Sequence, residues 1–497
     1  MFEAAELGRT VSSEEYRRRE PALREELLDA QLRLRDAPFP VIIVFAGVDG
    51  AGKGETVNLL NAWLDPRWVL TRAFGPPSDE EQERPEFWRY WLSLPRRGRI
   101  GLYLSSWYSR PVLDFAYART DIPTFDEHLN RIREFEQTLV DDGSLVLKFW
   151  MHLDKASQKK RLTKLERDPL TRWRVTKLEW KHWKMYPRFI DAAERAIRAT
   201  SRADSPWIIV EGADAAYRSL TVGSAIRDAI RKHLTERTPQ TSGSRRARPR
   251  PPAAPSGPTI LSHLDMTRHV PKKVAATAIE REQGRLNRLH RKAAARGLST
   301  VLVFEGWDAA GKGGAIRRVT AALDARHFQV IPIAAPNDEE RAYHYLWRFW
   351  RHLSRAGRVT IFDRSWYGRL LVERVEGFAT EREWMRAYAE INHFEDQLAA
   401  DGIVLVKYWL HITKDEQLRR FKEREATSFK RWKITDEDWR NRKKWPAYEV
   451  AVNDMIERTS TGAAPWTLVE ANDKAYARVK VLSVLNDRLE AAVRRTS

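Results

Sequence analysis

Gly306-Trp-Asp308-Ala-Ala-Gly311-Lys312-Gly313 stands between an apolar run and an amphipathic segment. In that setting glycines let backbone N–H groups turn inward around phosphate oxygens, and the following helix N-terminus adds a favourable dipole. Lys312 then supplies a point charge, so the chemistry this spacing suits is the holding of phosphate groups. A serine or threonine that could ligate magnesium usually follows such a lysine, but here Gly313 takes its place. Magnesium must therefore lean on carboxylates. Asp308, inside the loop, and Asp363, after the apolar run 359–362, are the two candidates. Asp363 is expected at the carboxyl edge of a strand, where ligands bind in open α/β sheets, and Arg364 brings a cation to the same crevice.

Further cations gather near this loop. Arg317 and Arg318 follow it directly and would line a phosphate track. Thr413-Lys-Asp-Glu416 reads as a capping box, and the helix it opens puts Arg420 and Arg424 on one face. Lys430, Arg431, Lys433, Arg440, Arg442, Lys443 and Lys444 continue the series. Such a run is ordinarily a solvated helix face. Beside a phosphate loop, it reads as a basic helical lid over an anionic substrate. Trp347, Trp350, Trp432 and Trp439 fall in amphipathic segments and are expected in core and lid packing rather than against nucleic-acid bases.

The elements that position these groups occur twice. At an offset of 259 residues, Gly306, Asp308, Gly311 and Lys312 correspond to Gly47, Asp49, Gly52 and Lys53. The same offset carries Ser365-Trp366-Tyr367 to Ser106-Trp107-Tyr108, His411 to His152, Trp432 to Trp173 and Glu470 to Glu211. A whole domain has been duplicated. Apolar, β-rich runs at 300–304, 328–333, 359–362, 403–412 and 466–469 alternate with long charged segments. The first copy has runs at 41–45, 100–104, 145–150 and 207–210. That alternation predicts a parallel sheet covered by helices on both faces. The expected division is a first domain over 1–235, a Pro-, Arg- and Ser-rich connector over 236–259 and a second domain over 260–497.

Composition narrows the setting. The 497 residues hold no cysteine, which rules out disulfides and thiolate chemistry and suits a reducing compartment. The N-terminus does not read as a secretory signal, and the longest apolar stretch is too short to span a bilayer. A soluble cytoplasmic protein is expected. A formal charge of +19 favours anionic partners.

Taken together, the loop, the box Ile361-Phe-Asp363-Arg364-Ser-Trp-Tyr367-Gly368-Arg369 and the Arg- and Trp-rich lid resemble the second family of polyphosphate kinases. The resemblance covers both copies. It implies a three-layer α/β/α P-loop kinase fold and magnesium-dependent movement of a terminal phosphoryl group between inorganic polyphosphate and a nucleotide. The tandem architecture, and Gly368 where members acting on diphosphates tend to carry asparagine, resemble the subgroup that uses AMP. By the same resemblance, Asp308 and Asp363 serve magnesium and the accepting phosphate. Lys312 holds phosphates, Arg364 stabilises the transferring group and Arg424 reaches down from the lid. Gly306, Gly311, Gly313, Arg317, Arg318 and Arg420 complete the phosphate-binding set. Neither nucleic acid nor membrane is expected as a partner, and a homo-oligomer is.

The copies diverge where this machinery should be. Asp363 corresponds to Leu104, Arg364 to Ser105, Arg424 to Leu165, and Arg317 and Arg318 to Asn58 and Leu59. Only the second copy is expected to be catalytic. Whether the first still binds a phosphate chain or merely braces its neighbour stays open. Three rival readings also stay open: a polyphosphate-dependent nucleoside diphosphate kinase, a non-enzymatic polyphosphate-binding scaffold, and an ATP-dependent kinase.

Overall fold

The computed structural model describes residues 1–237, 257–428 and 434–495. The chain forms two compact units. One contains Met1–Pro77, Arg89–Gly243 and Asp338–His344; the other contains Ser78–Trp88, Ser244–Asn337 and Tyr345–Ser497. Most of the expected connector, and Lys430, Arg431, Trp432 and Lys433 of the expected lid, lie outside the described residues.

The first unit holds β1 (Val41–Gly47), β2 (Val69–Ala73), β3 (Ile100–Leu104), β4 (Leu145–His152) and β5 (Trp207–Glu211), in the spatial order β2-β3-β1-β4-β5. Every pairing is parallel. The second holds β6 (Thr300–Gly306), β7 (Phe328–Pro332), β8 (Val359–Asp363), β9 (Val404–His411) and β10 (Trp466–Glu470), ordered β7-β8-β6-β9-β10. These pairings are parallel as well. β4 and β9 are buried along their full lengths, as strands covered on both faces require. Helices pack on each sheet, so the expected architecture of tandem α/β domains holds. β2 has no counterpart among the first copy's expected runs. It is a half-exposed edge strand, and Val69-Leu-Thr-Arg-Ala lacks the continuous apolar character that marks a buried strand.

One buried network explains the repeated Ser-Trp-Tyr box. In the second unit Lys407 Nζ donates to Glu395 Oε2 (2.6 Å), Tyr367 Oη (2.8 Å) and the Thr459 carbonyl (2.7 Å). Tyr367 Oη and Trp366 Nε1 donate to the other Glu395 oxygen. Burial pushes the Glu395 carboxyl up and the Lys407 ammonium down, so each needs the other. Lys148, Glu136, Tyr108, Trp107 and Thr200 repeat the arrangement in the first unit. The Trp and Tyr of the repeat are scaffold in both copies.

Candidate active site

β6, the central strand, runs directly into the phosphate loop. Gly306 has φ 148°, and a Cβ there would stand 2.4 Å from the Leu410 carbonyl oxygen of β9. Only glycine allows that approach. Gly311, at φ 109°, caps the helix Lys312–Thr320 with open space where a Cβ would point, and Gly313 is equally open. Lys312 Nζ rests on the Gly306 and Trp307 carbonyls, at 2.8 and 3.4 Å. Trp307 stacks on Trp445 with ring centroids 3.7 Å apart, and its Nε1 donates to His411. Burial lowers His411 to about 4, so the imidazole is a neutral acceptor in the packing.

β8 carries Asp363 as its last residue, level with Phe304 of β6. The next residue, Arg364, adopts φ 65°, and its N–H donates to the Phe304 carbonyl at 3.0 Å. That left-handed turn sends the half-exposed guanidinium back to the loop, where Nη2 lies 3.3 Å from Asp308 Oδ1. The second Asp308 oxygen accepts from Asn441 Nδ2 at 3.0 Å, on the helix Asp436–Lys443. The structure thus brings Asp308, Lys312, Asp363 and Arg364 together at the carboxyl edge of the sheet.

Among the described residues, no three His, Cys, Asp or Glu side chains gather as a metal cluster. Magnesium does not need one. It keeps several waters and commonly takes one or two carboxylates plus substrate phosphate oxygens. The hard oxygens of Asp308 and Asp363 beside a phosphate loop fit that requirement.

On the other side of the loop lies a cavity of ≈ 240 Å³, lined in part by Gly311, Gly314, Arg420, Arg424, Lys474 and Arg478. Besides Arg420, its walls carry the three cations Arg424, Lys474 and Arg478. Burial lowers the Arg478 guanidinium most, and the charge of Arg318 adds to that. Arg317 stays exposed. Lys474 and Arg478 escape a motif search because they sit on the helix Lys474–Arg495, far along the chain. The available signal was the offset, which places Ala215 and Ser219 at those positions in the first copy.

Arg420, expected as a phosphate ligand, lines this cavity with its donors already engaged by the protein. It is 2% exposed. Nε donates to Glu416, Nη1 to the Ala309 and Ala310 carbonyls, and Nη2 to the Ala471 and Asn472 carbonyls. All five donors are spent inside the protein. Arg420 clasps the loop to the segment after β10. The expected capping box is altered for the same reason: Thr413 caps Glu416 N, while the Glu416 carboxylate turns to Arg419 and Arg420. Arg440 and Lys444 face Glu376, at 3.5 and 2.8 Å, and Arg442 holds the Lys414 carbonyl. Among the described residues of the basic run, Arg440, Arg442 and Lys444 thus have partners within the protein. Trp350 and Trp347 are buried as expected, and Trp173, the counterpart of Trp432, is 71% exposed.

Glu305 was not anticipated. It is buried in β6, accepts from Ser365 Oγ at 2.8 Å, and its carboxyl is pushed up by burial while Lys312 and Arg364 pull it down. The first copy has Ala46 there.

In each unit the phosphate loop leaves the central strand of a five-stranded parallel sheet, and in the second the Asp–Arg pair leaves its neighbour. This is the P-loop kinase type of domain, used twice. The model of the polyphosphate kinase 2 family matches residues 10–238 and 269–497, and the chain belongs to that family. It is 50% identical to a polyphosphate:AMP phosphotransferase of Pseudomonas aeruginosa, covering 100% of both chains. It is 48% identical to a polyphosphate:AMP phosphotransferase of Pseudomonas syringae pv. tomato, covering 100% of this chain and 99% of the relative. A crystal structure from Pseudomonas aeruginosa, provisionally described as polyphosphate kinase 2, superposes with a TM-score of 0.89 at 47% identity over 100% of both chains.

Proposed function

We propose that this chain transfers the terminal phosphoryl group of inorganic polyphosphate to AMP, giving ADP, and that residues 260–497 perform the transfer. The observation that carries this reading is the pairing of Asp308 with Arg364 across the loop, with Asp363 beside them and a cationic cavity on the loop's other side. The full-length likeness to relatives that bear this activity in their names supports it.

In this reading polyphosphate lies over the Gly306–Gly313 loop, its terminal unit within reach of Arg424 and its chain running into the cavity toward Lys474 and Arg478. An oxygen of the AMP phosphate attacks the terminal phosphorus, the bridging P–O bond breaks, and polyphosphate leaves one unit shorter. Charge spreads over the transferring group's oxygens, so positioning and neutralisation dominate the rate. Lys312 and Arg364 supply the neutralising cations. Asp308 and Asp363 would hold magnesium, which when bound would screen the phosphates from each other. Glu305 and Ser365 brace the turn that aims Arg364. The reading includes a division at 1–235, 236–259 and 260–497, consistent with where the two family matches lie. It also includes a cytoplasmic location, which the absence of cysteine supports.

The test is to incubate the chain with AMP, long-chain polyphosphate and magnesium and measure ADP, with ADP, GDP and ATP-only reactions alongside. ADP should form from AMP and require polyphosphate. No ADP, or product formation from ATP alone, sinks the reading.

A further inference from the structure

The first copy's phosphate loop differs from the second's in a way that goes beyond its lost Asp–Arg pair. Glu55, in the first turn of the helix Lys53–Trp63, takes the position Gly314 holds in the second copy. Its Oε1 accepts from Arg161 Nη2 at 2.6 Å and lies 3.4 Å from Arg174 Nη1. Its Oε2 accepts from Arg218 Nη2 at 2.8 Å. Arg218 is 4% exposed and is also held by Thr56 Oγ1 and the Gly212 carbonyl.

Three guanidinium groups converging on one anion beside a phosphate loop and a helix N-terminus is an arrangement suited to a phosphate group. Here the anion is built in. The loop is covered to match: a Cβ on Gly52 would stand 2.2 Å from the Arg218 guanidinium carbon, and one on Gly50 would stand 3.3 Å from Arg161 Cγ. The equivalent of Gly52 in the second copy, Gly311, meets nothing within 4 Å. There Gly314 and Ala477 stand where the first copy has Glu55 and Arg218, and the space beside the loop is the ≈ 240 Å³ cavity. Two small residues open the site in one copy; a carboxylate and a guanidinium fill it in the other.

We infer that the first copy retains a condensed-phosphate site whose occupant is the chain's own Glu55 carboxylate, so that it is closed to polyphosphate. A tethered carboxylate competes at the high effective concentration of an intramolecular group, and an external chain must first displace it. Its displacement would break ion pairs to a buried arginine, which is strongly unfavourable. This rests on the phosphate-loop reading above. The loop geometry supports it too, since Lys53 Nζ rests on the Gly47 and Val48 carbonyls as Lys312 rests on its own.

The test is calorimetric titration of the full chain with tripolyphosphate and magnesium. The unmodified chain should bind at one site, lost on Lys312→Ala and unaffected by Lys53→Ala. Glu55→Gly should bind at two, with the added site abolished by Lys53→Ala or Arg161→Ala in the same background. Glu55→Gln keeps the volume without the charge, and should gain the same site more weakly; it decides the matter if Glu55→Gly does not fold. Two sites in the unmodified chain would overturn the inference. So would a single site in folded Glu55→Gly and Glu55→Gln that still make ADP. No site in the unmodified chain would instead remove the phosphate-binding role of the second copy, and a site gained in Glu55→Gly would then still support the inference.

Discussion

The two copies share a sheet order and a buried Lys–Glu network and differ where charge is handled. Lys148–Glu136 and Lys407–Glu395 are both 2.6 Å ion pairs with the same Trp, Tyr and Thr partners. Around the loops the charged partners change. Asp308 faces Arg364 and the neutral amide of Asn441, whereas Asp49 faces His182 at 2.6 Å and Lys53 at 3.7 Å. Burial alone would raise the Asp49 carboxyl, but these partners hold it below the ordinary range. The comparison teaches that retaining a phosphate-loop motif is not the same as keeping its site open to an outside phosphate. The motif fixes the backbone; side chains one turn away decide whether an outside anion can reach it.

The sharpest way to break this contrast is to remove the loop lysine from each copy in turn. Lys312→Ala should lower ADP formation by roughly 10³-fold or more, because a cation at the reacting phosphates acts where charge develops. Lys53→Ala should leave most of the activity. Steady-state ADP production by both variants checks this, and equal losses would mean that both copies take part.

Next in size are the carboxylates. Asp308→Asn and Asp363→Asn should each cost roughly 10²-fold or more in kcat, with the fold kept by circular dichroism, since Gly313 offers no hydroxyl to share the magnesium. Placing the lost pair into the first copy, as Leu104→Asp with Ser105→Arg, should restore nothing while Glu55 stays in place. Near-normal turnover of Asp308→Asn at ordinary magnesium would make the loop carboxylate structural.

A smaller effect is expected at Glu305. Glu305→Ala removes the acceptor for Ser365, and a lost buried hydrogen bond of this kind is worth about 1–3 kcal/mol, a loss of roughly 5- to 150-fold if it falls on the transition state. Glu305→Gln keeps an acceptor and should recover much of kcat. If kcat is untouched in both variants and only thermal stability falls, Glu305 belongs to the scaffold.

How much of this was visible in the sequence depends on the distance over which the cause acts. Loop, strand-end carboxylate and sheet follow from local patterns, and the 259-residue offset even located the lost Asp363 and Arg364 equivalents. The edge strand β2 was hidden because its exposure removes the apolar signature. Lys474 and Arg478 were hidden because a helix more than 150 residues downstream brings them to the loop. The clasp that Arg420 makes is hidden for a different reason. Its spacing from Arg424 did show a shared helical face, but no pattern reveals that four carbonyls from two distant segments have already claimed its donors.

The smallest effect on chemistry should come from Arg420, and it separates the two arginines of one helical face. Arg424 lines the cavity, so Arg424→Ala should lower kcat by roughly tenfold or more through a cation lost near the transferring group. Arg420→Ala instead leaves the carbonyls of Ala309, Ala310, Ala471 and Asn472 and the Glu416 carboxylate without their guanidinium. Breaking a buried charged contact of this sort costs about 3–5 kcal/mol, so the second unit should melt earlier while kcat at saturating polyphosphate changes little. The first copy supplies the control. There the Gly212 carbonyl, equivalent to Ala471, is held by Arg218, and Arg161, equivalent to Arg420, reaches Glu55 with a third of its side chain exposed. Arg161→Ala should thus destabilise its unit much less than Arg420→Ala does the other. A raised polyphosphate KM for Arg420→Ala with unchanged melting would return Arg420 to the phosphate track and leave the clasp without a role.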